Sequence, residues 1–209
     1  MPQKIPRMPR WSRVTSAVAS IVLVLAPVLL GISALDSATA VTPYSLMDSS
    51  FVPPSQNQSA ALELGVELQT SSDQWVTQVK FYKAAESTAA HVANVWSSSG
   101  QLLTTQPFTQ ETASGWQVVD LSSPVLISAG SRFTVSVFSS GYYYSGASFP
   151  NMTVGPLTVQ RGVYKYTAAS AFPAQSVGYN YAVDLTVQSS LPVATTVTAS
   201  PSASAITYG

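Results

Sequence analysis

The sequence predicts an all-β fold, an antiparallel sandwich or barrel. Three observations carry that expectation. Apolar residues recur with a period of two in run after run, the runs are separated by Gly, Pro and Ser clusters, and no segment sustains the 3.6-residue period of an amphipathic helix. The clearest runs lie between Glu111 and Ser139. Val119 and Leu121 share one parity before Ser122-Ser123-Pro124 interrupts it, and Phe133, Val135 and Val137 share one parity after the Ala129-Gly130-Ser131 turn.

The chain begins with an export address. Lys4, Arg7, Arg10 and Arg13 precede an apolar run from Val14 to Leu35, and Ala38-Thr39-Ala40 supplies the small-x-small pattern of a signal peptidase site. Residues 1–40 are therefore expected to be a signal peptide, cleaved before Val41. The alternative is an uncleaved anchor, since the run approaches the roughly 20 residues that span a bilayer. Pro27 and Gly31 interrupt it, which favours cleavage and a secreted or cell-surface protein.

Beyond the leader the chain holds five basic and eight acidic residues, with no basic cluster. That balance argues against nucleic acid and against anionic membrane as partners, leaving the membrane only through an uncleaved leader. There is no cysteine, so neither disulfides nor thiolate chemistry is available, and buried apolar surface must hold the fold together.

Residues 41–60 are a Pro- and Ser-rich lead-in with a short edge strand expected around Tyr44 to Met47. The domain proper is expected over 61–188. Ala61 to Leu68 is its first strand, with Leu62, Leu64, Val66 and Leu68 inward and Glu63 and Glu67 outward. Trp75 to Tyr82 follows, with Trp75, Val79 and Phe81 inward and Gln78, Lys80 and Tyr82 outward. Ala84 to Ala90 suits a loop or one helical turn, and His91 to Trp96 is the third strand. Gly141 to Gly162 is the longest stretch expected to be irregular. Val163 to Tyr166 and Tyr179 to Val187 close the domain.

Residues 189–209 are a Ser/Thr/Pro linker ending in what resembles the first strand of a bacterial immunoglobulin-like repeat. The expectation is a piece of a longer multidomain protein, with immunoglobulin-like or enzyme domains as neighbours, or a frame that ends early.

Several motifs occur in a fixed order: Glu63-Leu64-Gly65-Val66, Phe81-Tyr82-Lys83, His91 with Trp96-Ser97-Ser98, and Glu111-Thr112-Ala113-Ser114-Gly115-Trp116-Gln117. Val163-Tyr164-Lys165-Tyr166, Phe172-Pro173 and Asn180-Tyr181 with Val183-Asp184 complete the series. Over about residues 43–188 the chain resembles the bacterial extracellular family called domain of unknown function 4082. The resemblance implies a β-sandwich of jelly-roll type, carried in large secreted or surface proteins beside immunoglobulin-like repeats and sometimes beside polysaccharide-active enzymes. It implies no activity and no catalytic residues. The chain departs from the family pattern at Ala182, where an aromatic residue is expected, which puts part of any aromatic binding face in question.

The inventory for catalysis is thin, and no enzyme activity is expected. Glu63 and Glu67 share a strand face, but four residues of strand set them ~13 Å apart. Glycosidase carboxylates need about 5–9.5 Å. His91, the single histidine, is expected to be a hydrogen-bonded structural residue at a strand start. No catalytic residue is assigned, and no cofactor is expected. The one metal left open is a structural calcium held by Glu111, Asp120 or Asp184 with backbone carbonyls.

The aromatic residues lead further. Sugars present apolar C–H faces rimmed by hydroxyls, so exposed rings beside amides and carboxylates suit them. Trp116 has the parity opposite to Val119 and Leu121, and Tyr142 and Tyr144 share one side at the start of the long loop. Phe81, Phe133, Tyr181 and Trp75 are expected in the core instead. Trp116, Tyr142 and Tyr144 are thus the expected ligand-binding residues, with a polysaccharide or cell-surface glycan as partner. The competing function is a structural spacer without a ligand, and a hydrolase domain stands a distant third. Exposed coplanar rings would favour binding, and fully buried rings the spacer.

Overall fold

The computed structural model describes residues 41–146 and 152–191. The expected signal peptide, and the immunoglobulin-like start of the tail, lie outside the described residues.

Twelve strands occur among the described residues, and every pairing is antiparallel. In chain order they are β1 (Ser55–Gln58), β2 (Leu62–Thr70), β3 (Gln74–Lys83), β4 (Val92–Ser97), β5 (Leu102–Pro107) and β6 (Gly115–Ile127). Then come β7 (Arg132–Ser139), β8 (Tyr142–Ser145), β9 (Thr153–Val154), β10 (Leu157–Tyr166), β11 (Gln175–Val177) and β12 (Val183–Gln188). One sheet has seven strands, ordered β11-β10-β2-β7-β4-β5 with β9 beside β10. The other has three, β12-β3-β6, and β1 and β8 form a separate ribbon. This is the all-β sandwich expected.

Parity explains the core. Leu62, Leu64, Val66 and Leu68 of β2 and Phe133, Val135 and Val137 of β7 are buried, as are Val76, Val79 and Phe81 of β3 and Leu185 and Val187 of β12. Two sheets with one apolar face each can satisfy both only by packing those faces together. β2 and β7 run side by side through the middle of the larger sheet, with Val66 opposite Val135. Gly65 is required there, because a Cβ at that position would sit 2.1 Å from the Val135 carbonyl oxygen.

Several expectations are corrected. Trp75 is only half-buried, whereas Gln74 and Val76 are buried. The register of β3 shifts between Val76 and Gln78, and this bulge reverses parity on its N-terminal side. Ser122-Ser123-Pro124 does not end a strand, because β6 continues through it. Residues 121–124 have no partner on β3, so the missing N–H of Pro124 interrupts no ladder bond. The stretch from Gly141 to Gly162 contains β8, β9 and the first part of β10. Of the two readings open for Ala84 to Ala90, the structure has the loop. Glu63 and Glu67 leave the core side as expected but do not meet solvent, being 0% and 9% exposed.

The lead-in is fastened by Asp184. Its carboxylate accepts from the Ser45 hydroxyl (2.5 Å), the Leu46 amide (2.8 Å) and the Leu185 amide (2.7 Å), while Tyr44 and Val187 exchange backbone bonds (both 2.9 Å). The expected edge strand at 44–47 is therefore a single bridge followed by side-chain capture of the next amides. Burial raises the Asp184 pKa, and the bonds from Ser45, Leu46 and Leu185 offset part of that rise. Asp184→Ala strands the Leu46 amide in the interior, and a loss of about 2 kcal/mol is expected in denaturant unfolding.

Candidate functional site

The sequence-predicted aromatic residues meet through one that was not predicted. On the face of the small sheet turned away from the core, Tyr82 of β3 stands opposite Trp116 of β6. Their rings lie 5.6 Å apart and almost perpendicular, at 84°. Tyr144, arriving on the β1–β8 ribbon, packs its ring 5.0 Å from Tyr82 at 78°. Trp116, Tyr82 and Tyr144 are all half-buried and form a stepped wall rather than a coplanar platform. Tyr142 shares the face of Tyr144 on β8 but enters no ring pair among the described residues.

The polar edges of this wall are partly committed. The Trp116 indole N–H donates to the Phe51 carbonyl at 2.8 Å, and the Tyr144 hydroxyl donates to Gln56 Oε1 at 2.9 Å. Gln56 in turn donates to Glu86 at 2.8 Å. A row of amide and carboxylate therefore rims the rings. Burial raises the pKa of the Tyr144 hydroxyl, helped by Tyr82 and by the charge of Glu86, so it stays a neutral donor. Tyr82 was legible as an outward residue, but its partner depends on the register of β3 against β6, which no local pattern encodes. Ala182 is fully buried with φ 54°, so position 182 is not part of this ring face.

A second cluster gathers around His91. Its Nε2 lies 2.9 Å from Ser87 Oγ, its Nδ1 lies 3.0 Å from the Glu111 carboxylate, and Lys83 Nζ reaches the same carboxylate at 2.7 Å. Hydroxyl, imidazole and carboxylate follow in the order of a nucleophile, its base and the group that orients the base. The hydroxyl and the imidazole are both enclosed. Ser87 is 2% exposed and His91 0%, with Phe81 and His91 ring centroids 4.5 Å apart. Desolvation lowers the His91 pKa against the pull of Glu111, so the ring is neutral at pH 7. The cluster ties the end of β3 and two loops to the start of β4, the structural role expected of this histidine.

The three carboxylates named for calcium have separate partners. Glu111 holds Lys83 and His91, Asp120 accepts from Gln78 at 2.8 Å, and Asp184 fastens the lead-in. Among the described residues no group of three or more His, Cys, Asp or Glu could hold a metal ion.

A third cluster was not anticipated. Beneath residues 167–174, on the outer face of the seven-stranded sheet, Glu63 Oε1 accepts from Ser136 Oγ at 2.5 Å and from Asn94 Nδ2 at 2.9 Å. Trp96 Nε1 donates to Ser136 Oγ at 2.7 Å. Burial pushes the Glu63 pKa from 4.5 up to about 7 against these bonds. Beside it, Glu67 pairs with Arg161 and, at 3.8 Å, with Arg132. Glu67, Thr134, Arg161 and Phe172 line a cleft of about 210 Å³. A larger cleft of about 590 Å³ lies where the described chain enters and leaves the sandwich, walled by Tyr44, Gln74, Thr42 and four serines. None of Trp116, Tyr142 and Tyr144 lines it.

Residues 50–183 match the family model described as domain of unknown function, DUF4082. No curated protein matches the sequence.

Proposed function

Because the chain belongs to the DUF4082 family, whose description names no activity, we propose its function from the site: a non-catalytic β-sandwich module that binds carbohydrate weakly. The observation that carries this reading is the wall of Trp116, Tyr82 and Tyr144, rimmed by Gln56 and Glu86. Half-buried rings offer the apolar surface that a sugar ring covers, and a fixed amide and carboxylate offer acceptors to its hydroxyls. Tyr82 joins Trp116 and Tyr144 in the proposed site, and Tyr142 moves to its margin. Export, to the medium or the cell surface, is part of the proposal and rests on the basic leader, the apolar run and the Ala38-Thr39-Ala40 pattern.

An aromatic stacking contact contributes about 0.5–1.5 kcal/mol beyond area burial, so one such site binds weakly. Repetition along a polymer or within a larger protein would multiply it. A glycan array followed by calorimetry tests the reading. Trp116→Ala and Tyr82→Ala are each expected to weaken binding by about two- to tenfold, a range that corresponds to the stacking energy. Binding untouched by both changes would move the site elsewhere.

The spacer reading has one observation of its own. The Trp116 N–H and the Tyr144 hydroxyl both bond within the fold, fastening residues 51–56 to the sandwich. Failure to bind any polysaccharide tested would leave that reading standing.

A further inference from the structure

We propose that residues 167–174, the loop joining β10 to β11, form a proton-operated strap over the outer face of the seven-stranded sheet, seated while Glu63 holds its proton and lifted when Glu63 ionises.

The strap is fastened lightly. Thr167 N donates to the Ala61 carbonyl at 3.1 Å where the loop begins, Ser170 Oγ accepts from Asn94 Nδ2 at 3.1 Å, and the Ala171 amide lies near the Glu63 carboxylate, where it lowers that group's pKa against the larger effect of burial. The Phe172 ring packs 5.9 Å from that of Trp96 and against Gly100, and Pro173 is buried. What it covers is polar. Glu63 and Asn94 are both 0% exposed, and Glu63 Oε2 and Asn94 Oδ1 have no hydrogen-bond partner. The hydrogens of Ser136, both of Asn94 and that of Trp96 are already committed. Neither Glu63 Oε2 nor Asn94 Oδ1 has a donor, and a carboxyl hydrogen on Glu63 supplies one between them.

Ionisation removes that donor and leaves a buried charge. No cation among the described residues answers it. Lys165, opposite Glu63 on β10, is exposed and makes no ion pair with it. Arg161 of β10 and Arg132 of β7 are paired to Glu67, four residues along β2. The outer-face residues of β4, Val92, Asn94 and Trp96, carry no titratable group, and neither does the strap. The remaining remedy is water, since an unpaired buried charge is far costlier than a solvated one. Glu63 lies on a strand paired on both sides, so water reaches it by displacing the loop above. The position of the Glu63 pKa, near 7, brings this exchange into the neutral range. Lifting the strap uncovers Trp96, Asn94 and the carboxylate together, along with the neighbouring cleft floored by Thr134.

The chain has no cysteine, so one introduced thiol reports without background. In Thr134→Cys the thiol starts under the strap, at a position 2% exposed. Its rate of alkylation is measured from pH 5 to 9 and referred at each pH to the same variant unfolded in urea, which cancels thiol ionisation. Loss of one proton raises the open population by at most about tenfold per pH unit, so a rise approaching that slope is expected above pH 7. Adding Glu63→Gln, which keeps the donor and cannot ionise, is expected to leave the rate low and flat. Adding Phe172→Ala is expected to make it fast at every pH. A flat, slow rate in the single variant overturns the proposal whether or not the double variants fold, and an equal rise with Glu63→Gln present overturns it as well.

Discussion

Phe133→Ala is expected to unfold the domain under mild conditions, at a cost of about 3–5 kcal/mol, the range for emptying a phenylalanine site in a packed core. Among the described residues Phe133 is the largest of the side chains that are fully enclosed, at 1% exposure. It heads β7, stands opposite Leu68 on β2, and shares its face with Val135 and Val137. The site has little freedom to collapse, because Leu68 and Val135 are themselves fully buried within two central strands of the larger sheet. Few domains have a reserve much larger than such a loss. The measurement is denaturant unfolding by tryptophan fluorescence, and a midpoint equal to wild type would mean that the cavity costs nothing.

Glu63→Gln is expected to act in the opposite direction, as a stabilising change that shows itself only at higher pH. The sign follows from linkage. The folded-state pKa of Glu63 is raised from 4.5 to about 7, so between these values the folded protein holds a proton that the unfolded chain has released. Stability from this group is complete below about pH 4.5 and is lost as pH rises through 7. A shift of that size corresponds to about 3 kcal/mol. Above pH 8 the glutamine variant should exceed wild type by up to that amount, and near pH 4 the two should agree. His91 works against this trend. Its pKa is lowered in the folded state, so its stability is complete above its ordinary value of 6.5 and is lost as pH falls below it. Wild type should therefore be most stable in weak acid, and the variant's optimum should move upward. Parallel pH profiles for the two proteins would show that Glu63 is not the group responsible.

Much of the sandwich was legible before any coordinates because strand parity is a local property. Val135 and Val137, or Leu185 and Val187, alternate with polar neighbours whatever lies across the sheet, and burial on one face requires that pattern. Where a parity expectation failed it failed at an irregularity. One bulge in β3 turned Trp75 out of the core, and the unpaired residues 121–124 let β6 run through a proline that reads locally as a stop.

The candidate site was less legible, for the same reason in reverse. Trp116 and Tyr144 could be singled out as rings free of the core, but the ring between them, Tyr82, joins them through the β3–β6 register and the docking of the β1–β8 ribbon. Calcium was an expectation of residue type alone, and the fold gave Glu111, Asp120 and Asp184 different partners.

By itself, then, the sequence determined the all-β class, the inward faces of β2, β7 and β12, the hydrogen-bonded setting of His91 and the family resemblance. Each depends on residue type, order or a period of two along one strand. Only the tertiary structure decided that Glu63 is enclosed. Its parity correctly takes it off the core side, but whether that side meets water depends on a loop about a hundred positions later in the chain folding back across it. Distance along the chain carries no information about that return, because the Ser170 contact with Asn94 and the Phe172 contact with Trp96 are made possible by the pairing of β10 with β2 and of β4 with β7.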